Sequence, residues 1–237
     1  MIDGLLILKL TDRNLEIFLT TQRLAARDFC SVCQGGPLSD FARVGDRLYR
    51  RCGQCRATVM DPDGWLSEQD EADVYRLHDN AVDDPGYRRF LDKLVTPLLD
   101  RLLPGQHGLD FGCGPGPALA AMLEERGLMV TGYDPVFFPD ASVLARQWDF
   151  ITCSEVVEHL RDPWGVFRQL DGMLRPGGTL GVMTCFQTDD SRFVNWHYRR
   201  DPTHIVFYRE ETLRWLADRF GWSLDIPRKD VALFRKT

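Results

Sequence analysis

Nowhere in its 237 residues does the chain approach the ~18 uncharged apolar residues that a bilayer-crossing helix needs, so no membrane span is expected. It has no excess of positive charge either. The formal net charge is −6 and the pI about 5.4, which speaks against a broad electrostatic grip on nucleic acid. Internal repeats and low-complexity tracts are missing. A secretory leader is not recognisable: Leu5–Leu10 is apolar but short, with no basic stretch before it and no small-residue cleavage site after it. These absences predict a cytoplasmic protein with neither membrane nor nucleic acid among its partners; they say nothing of its oligomeric state. Hydrophobic residues make up 44% of the chain, which is enough for a full core and argues against disorder. The length suits one α/β domain with a small appendage.

Seven cysteines are present, and four of them are paired as Cys30-x-x-Cys33 and Cys52-x-x-Cys55 with 18 residues between the pairs. Two such knuckles can close a tetrahedral site of four thiolates, with Gly35-Gly36 and Gly53 supplying the turns and Phe41–Arg51 forming a hairpin between them. A closed site of this kind has no open coordination position, so the expected role of a Zn²⁺ there is structural. A disulfide framework is the competing reading, weakened by the missing leader, and a redox dithiol is weaker still because two pairs would be redundant. Cys113, Cys153 and Cys185 fall in or beside predicted strands and read as small core residues.

Residues 109–116 read Leu-Asp-Phe-Gly-Cys-Gly-Pro-Gly, followed by a helical stretch to Arg126. This is a strand, a tight glycine turn and a helix. Gly112, Gly114 and Gly116 let a ligand approach the backbone, and the helix N-terminus behind them offers free N–H groups. The third glycine comes one place too early for the dinucleotide fingerprint G-x-G-x-x-G. Asp110 at the strand tip would repel a diphosphate and favour a cationic or hydroxyl-rich ligand. A second apolar run, Leu128–Tyr133, ends in Asp134-Pro135 about 20 residues beyond the glycines, where an acid can reach ribose hydroxyls.

Strands over 108–112, 128–133, 149–153 and 179–184 alternate with helices over 117–126 and 163–174, which predicts a parallel sheet covered by helices. A further helix is expected over 212–220, and 222–226 with 231–235 as a closing hairpin. Apolar residues at helical spacing from Tyr87 to Leu102 predict an amphipathic helix over 85–103. Residues 67–77 read as a helix and Arg13–Arg27 as a helical possibility. The expected organisation is an N-terminal extension (1–29), a zinc-binding module (30–60), a helical connector (61–104) and an α/β domain (105–237).

The pattern Asp110-x-Gly112-x-Gly114-x-Gly116 resembles motif I of the class I methyltransferases that use S-adenosylmethionine (SAM), and the resemblance extends over about 105–237. It is also carried by Asp134, by Trp148–Leu160 and by Leu174-Arg-Pro-Gly-Gly-Thr-Leu180. It implies a Rossmann-like sheet with flanking helices and a SAM site at Asp110, Gly112, Cys113, Gly114, Gly116, Asp134, Pro135, Cys153 and Ser154. One departure stands out. Only 14 residues lie between Asp134 and Asp149, too few for the helix and third strand usual in the family, so the sheet should be shortened between its second and fourth strands. Val136, Phe137, Phe138 and the segment to Leu144 then have to replace the adenine wall.

The fourth strand leads into Ser154-Glu155-Val156-Val157-Glu158-His159 rather than the Asn/Asp-Pro-Pro-aromatic motif of amino-methylating relatives. This segment resembles ubiquinone-pathway O-methyltransferases and small-RNA 2′-O-methyltransferases, in which glutamates and histidines can hold a divalent ion. The resemblance implies catalytic roles for Glu155, Glu158 and His159, with His204 joining from Asp201-Pro-Thr-His204. They act either as ligands of a second divalent ion or as a proton relay; alternatively Glu158 pairs with a basic residue and His159 only lines a pocket. Residues 185–209, rich in aromatics, read as an acceptor lid or as packing against the zinc module. Arg192, Arg199, Arg200 and Arg209 there can bind an anionic acceptor or form a solvated face. The expected activity is methyl transfer from SAM to an O, N or C nucleophile. A small-molecule acceptor is favoured, because some relatives with a four-cysteine module methylate sugars. A zinc-based interaction protein with an inactive SAM fold and, less well supported, a nicotinamide-dependent oxidoreductase remain as alternatives. A titration with SAM and NAD separates them.

Overall fold

The computed structural model describes residues 29–76 and 81–237; the extension before Phe29, including the helical possibility at 13–27, lies outside them. A six-stranded sheet forms the centre. It uses β4 (His107–Phe111), β5 (Met129–Tyr133), β6 (Trp148–Ser154), β7 (Leu174–Met183), β9 (Trp222–Arg228) and β10 (Val231–Lys236), in the order β5-β4-β6-β7-β10-β9. The first four are parallel, and β10 pairs antiparallel with both β7 and β9. This is the doubly wound arrangement expected from the alternation of elements, with β5 at one margin. The shortening also stands: between Asp134 and Trp148 the chain makes only a bridge from Asp134 to Phe138 and a 3-10 turn, Ala141–Ala145.

Helices cover both faces because successive strand residues point to opposite sides. On one face α2 (Pro85–Leu99) and α3 (Ala118–Glu124) bury Leu91, Leu94, Leu98, Leu119 and Leu123 against Phe150, Met183 and Leu233. On the other, α4 (Pro163–Met173) and α5 (Glu210–Phe220) pack Phe167, Leu170, Leu213 and Leu216 with Ile151, Leu180, Val182 and Phe234. Helix α2 starts where Asp84 accepts the Tyr87 N–H and Pro85 fits the first turn. It stops at Leu99 rather than 103: tight turns follow at Arg101 and Leu102, and Leu103, 70% exposed, offers no burial to extend it. Strand β7 begins earlier than expected, at Leu174, because that residue already pairs with Trp148.

The N-terminal cysteines frame a second, antiparallel sheet in the order β1-β2-β3-β8, from β1 (Leu38–Val44), β2 (Arg47–Cys52), β3 (Thr58–Met60) and β8 (Val206–Phe207). Its fourth strand comes from the connection between β7 and α5. Thr58 and Val59 pair with Phe207 and Val206, so the free edge of β3 is closed by a segment far along the chain. Along the chain, α1 (Glu68–Arg76) lies between β3 and α2. No helix among the described residues is long and apolar enough to cross a membrane.

Candidate active site

The glycine turn follows β4 directly. Gly112 and Gly114 have φ of 76° and 64°, conformations that side chains other than glycine's rarely adopt. The N–H groups of Gly112 and Cys113 both donate to the Tyr133 carbonyl, at 2.7 and 3.1 Å, locking the turn to the end of β5. A Cβ at Gly112 would stand 2.5 Å from Val156 Cγ2, whereas a Cβ at Gly114 would meet nothing within 4 Å. One glycine is therefore required by packing and the other faces open space. Asp134, immediately after β5, accepts from Gly114 N at 3.2 Å through one oxygen, and from Val136 N at 2.8 Å and Phe137 N at 3.0 Å through the other. Asp110 is 3% exposed and receives a hydrogen bond from Thr152 Oγ1 at 2.8 Å. Burial pushes its carboxyl up to about 6, Thr152 opposing and Asp134 adding to the shift.

The remaining expected cofactor residues divide. Gly116 and Ser154 are half-buried beside the turn and at the end of β6. Pro135 is exposed on the turn that Asp134 organises. Cys153 is fully enclosed and its thiol is a core group; Cys113 is nearly so, pushed up to about 12 chiefly by burial. Val136 and Phe138 are exposed and Phe137 half-buried, so this segment presents apolar surface beside the open margin at β5. Tyr87 was legible only as a packing residue of an amphipathic helix. Burial, followed by the charges of Asp110, Glu155 and Cys113, raises its phenol to about 12.

Opposite the glycine turn, β6 ends in a strained step: Glu155 has φ of 52°, and its N–H donates to the Met183 carbonyl at 2.8 Å. A 3-10 turn, Val157–His159, follows. Glu158 is fully buried, takes a 2.6 Å hydrogen bond from Tyr198 Oη on one carboxylate oxygen, and leaves the other, Oε2, enclosed with no partner. Burial raises its carboxyl, with His204 pulling it back. Glu155 is raised to about 9, by burial and then by the charge of Glu158. His159 and His204 stack edge to face with centroids 4.7 Å apart. His159 Nδ1 lies 3.1 Å from the Thr203 carbonyl and His204 Nδ1 lies 2.7 Å from the Tyr198 carbonyl. Carbonyls only accept, so both Nδ1 atoms carry the proton and both Nε2 atoms keep a lone pair when the rings are neutral. Burial, then His159, holds His204 below the usual histidine range. Glu158, His159 and His204 offer three ligand atoms within 4.8 Å of one another; Glu155 does not belong to this set.

The segment after β7 has two sides. Phe193 is 1% exposed and packs edge-on against Phe41 and Tyr49 at 5.1 and 5.0 Å, and Phe207 joins the same cluster. Most of the expected lid aromatics are thus core against the zinc-module sheet, because β8 carries them there. Phe186 and Tyr208 are likewise buried, and His197 is exposed. Only Tyr198 and His204 turn towards Glu158. Of the arginines, Arg209 is tied to Asp190 at 2.6 Å. The N-terminal sheet also holds the turn Val157–His159. Ile205 N donates to the Glu158 carbonyl at 2.9 Å, Met60 N to the Ile205 carbonyl at 2.7 Å, and Tyr208 Oη to the Val157 carbonyl at 3.0 Å.

Cys30, Cys33, Cys52 and Cys55 are all buried, with one ligand atom each inside 4.8 Å. Cys30 and Cys55 sulfurs are 3.6 Å apart, and Cys33 and Cys52 3.5 Å, too far for disulfides. A tetrahedron with metal–sulfur bonds of about 2.3 Å has edges of about 3.8 Å, close to these separations. Backbone N–H groups of Gly36, Gln54 and Cys55 point at Cys33 and Cys52 sulfurs at 3.3–3.4 Å, as thiolates require. A Cβ at Gly36 would collide with Cys52 Sγ.

Comparison with known proteins agrees with this frame. Residues 84–225 match the family model of a methyltransferase domain. A ubiquinone biosynthesis O-methyltransferase of Coxiella burnetii is 32% identical over 175 residues, 60% of this chain and 73% of that protein. One from Marinobacter nauticus is 34% identical over 134 residues, 46% of this chain and 52% of that one. Among solved structures, magnesium protoporphyrin IX methyltransferase from Synechocystis PCC 6803 with bound SAM has a TM-score of 0.48 and 18% identity, covering 74% of this chain and 94% of that chain. With the strand order, the glycine turn and the match over 84–225 in agreement, the chain belongs to the methyltransferase-domain family and is a class I SAM-dependent methyltransferase.

Proposed function

We propose that the protein transfers the SAM methyl group to a hydroxyl of a small molecule, at a site built from Glu155, Glu158, His159 and His204. The observation that carries this reading is the convergence of Glu158, His159 and His204, from two separate segments, at the carboxyl ends of β6 and β7. Open α/β sheets bind their ligands there. The names of the 32–34% identical relatives support oxygen as the acceptor atom. The enclosure of Glu158 and His204 and the net charge of −6 support a small molecule over nucleic acid.

In this reading SAM lies over the glycine turn, a ribose hydroxyl on the one lone pair of Asp134 Oδ2 that the Gly114 amide leaves free, and its ammonium at Asp110. Backside attack by the acceptor oxygen forms the O–CH₃ bond as the S–CH₃ bond breaks, and S-adenosylhomocysteine leaves. The hydroxyl proton passes to solvent, because Glu155, its carboxyl raised to about 9, already holds a proton near neutral pH. Alignment of donor and acceptor supplies much of the acceleration. The partnerless Glu158 Oε2 and the two Nε2 lone pairs fit a divalent ion, a donor set suited to Mn²⁺, Fe²⁺ or Zn²⁺. Such an ion would polarise the acceptor hydroxyl and lower its pKa. A second ion, Zn²⁺, fits the four thiols and has a structural role there, tying residues 30–60 and β8 into one support for the catalytic turn.

The test is methyl transfer from labelled SAM to a panel of hydroxylated small molecules. The reading expects transfer that a chelator too weak to strip the four-thiolate zinc, as metal analysis checks, abolishes and added Mn²⁺ or Fe²⁺ restores, with SAM affinity and melting temperature unchanged. Turnover indifferent to chelation but lost in both His159→Ala and His204→Ala would replace the ion by a proton relay. Turnover intact in both variants would refute the site.

A further inference from the structure

Arg199 lies on the turn Tyr198–Arg200, between the catalytic turn and the zinc-module sheet, and is only 9% exposed. Guanidinium groups buried to this extent are paired with carboxylates in nearly all proteins, because an unpaired buried charge is costly. Arg199 is not. Among the described residues its one hydrogen bond runs from Nη1 to Tyr49 Oη at 3.5 Å, and its Nε is enclosed without an acceptor. Nε and Nη2 project from the same edge of the guanidinium plane, the edge that grips carboxylates and phosphates with two parallel hydrogen bonds. The edge built for an anion is thus the one left without a partner.

Its surroundings do not neutralise it. Tyr49 lies on β2 between Arg47 and Arg51, which strand alternation puts on the same face. Asp190 answers Arg51 at 2.8 Å and Arg209 at 2.6 Å, so one carboxylate already serves two cations. Asp201 accepts the N–H and hydroxyl of Thr203 on Oδ1, at 2.9 and 2.5 Å, and its Oδ2 faces His204 Nε2 at 3.8 Å. Arg47 and Arg199 keep no carboxylate among the described residues, in a chain whose net charge is −6. The next residue back, Tyr198, gives its hydroxyl to Glu158 and its carbonyl to His204, so whatever occupies Arg199 sits on the turn that positions the catalytic groups.

We infer that Arg199, with Tyr49 Oη beside it, is an anion-binding subsite that takes a carboxylate or phosphate through its Nε–Nη2 edge, and that the acceptor molecule carries this anion. The first half stands independently of the proposed function; the second rests on it. The test compares melting temperature in inorganic phosphate with that in chloride at equal ionic strength, for the full chain and for Arg199→Met and Arg199→Lys. The expected result is a saturable rise for the native protein, as linkage requires of a ligand bound only by the folded state. The rise is absent in Arg199→Met and weaker in Arg199→Lys. In chloride Arg199→Met melts no lower than the native protein, and it keeps its SAM affinity. An equal phosphate response in Arg199→Met, or none in the native protein, overturns the subsite. In the methyl-transfer assay phosphate should raise the acceptor KM with kcat unchanged. Phosphate bound at Arg199 without a change in KM would mean that a free anion, not the acceptor, is its occupant.

Discussion

Gly112 and Gly114 share a left-handed backbone but differ in surroundings, which makes their alanine variants a quantitative pair. At Gly114 a Cβ meets nothing within 4 Å. Gly114→Ala should therefore lose only the conformational cost of an L-residue in that region, about 1–2 kcal/mol. At Gly112 the same cost is joined by a collision with Val156, whose Cγ2 would lie 2.5 Å from the new atom. Overpacking of this kind adds about 1–3 kcal/mol, for a total of roughly 2–5 kcal/mol. Urea unfolding at constant m-value measures both losses. The collision predicts an interaction energy: Val156→Ala in the Gly112→Ala background should restore the overpacking part but not the conformational part. Because Val156 leads into Val157–His159, Gly112→Ala should also impair turnover beyond its effect on SAM affinity, and Gly114→Ala should chiefly weaken SAM. Equal destabilisation by the two alanines, or no rescue by Val156→Ala, would refute the argument that the cofactor turn is packed against the catalytic turn.

Three further outcomes are expected. SAM affinity, followed by calorimetry, should fall as pH drops through about 6, because protonating Asp110 removes the charge that faces the SAM ammonium. The same raised pKa means that the folded apo protein holds this proton more tightly than the unfolded chain. Its contribution to apo stability therefore grows as pH falls from about 6 towards the ordinary value of 3.8; a flat SAM-binding profile would remove Asp110 from the cofactor site. Asp134→Ala should weaken SAM by roughly 1–3 kcal/mol, and should also lower stability by freeing the Gly114, Val136 and Phe137 amides; unchanged affinity in a titration would sink the ribose assignment. Cys55→Ser should abolish stoichiometric zinc, measured by metal analysis, and should cost turnover more than SAM affinity, because Tyr208 and Ile205 tie the module to Val157 and Glu158.

Features carried by local chain chemistry were readable from sequence. The apolar runs ending in Asp110 and Asp134 gave the parallel strands and the glycine turn, and the shortage of residues before Asp149 gave the missing third strand. Spacing also brought the four cysteines together. The limits came from contacts between distant segments. Nothing local marks Val206–Phe207 as the fourth strand of the N-terminal sheet; that follows only from the free edge of β3. For the same reason the aromatics of 185–209 divided between core and site in a way composition cannot resolve, since Phe193 and Tyr198 are alike in polarity to a sequence pattern. The surroundings of Tyr87 and the unpartnered guanidinium edge of Arg199 were not readable, because a residue's helical spacing or charge does not say which partner it lacks.

The account turns most directly on where the cofactor lies relative to Glu158, His159 and His204. A crystal structure of the full chain with S-adenosylhomocysteine measures this. The predicted result is the ribose on Asp134, the amino group at Asp110 and the sulfur facing the turn that carries Glu155 and His159, with His204 across from it. A nucleoside bound away from Asp134, or a sulfur directed away from the three converging side chains, would contradict it.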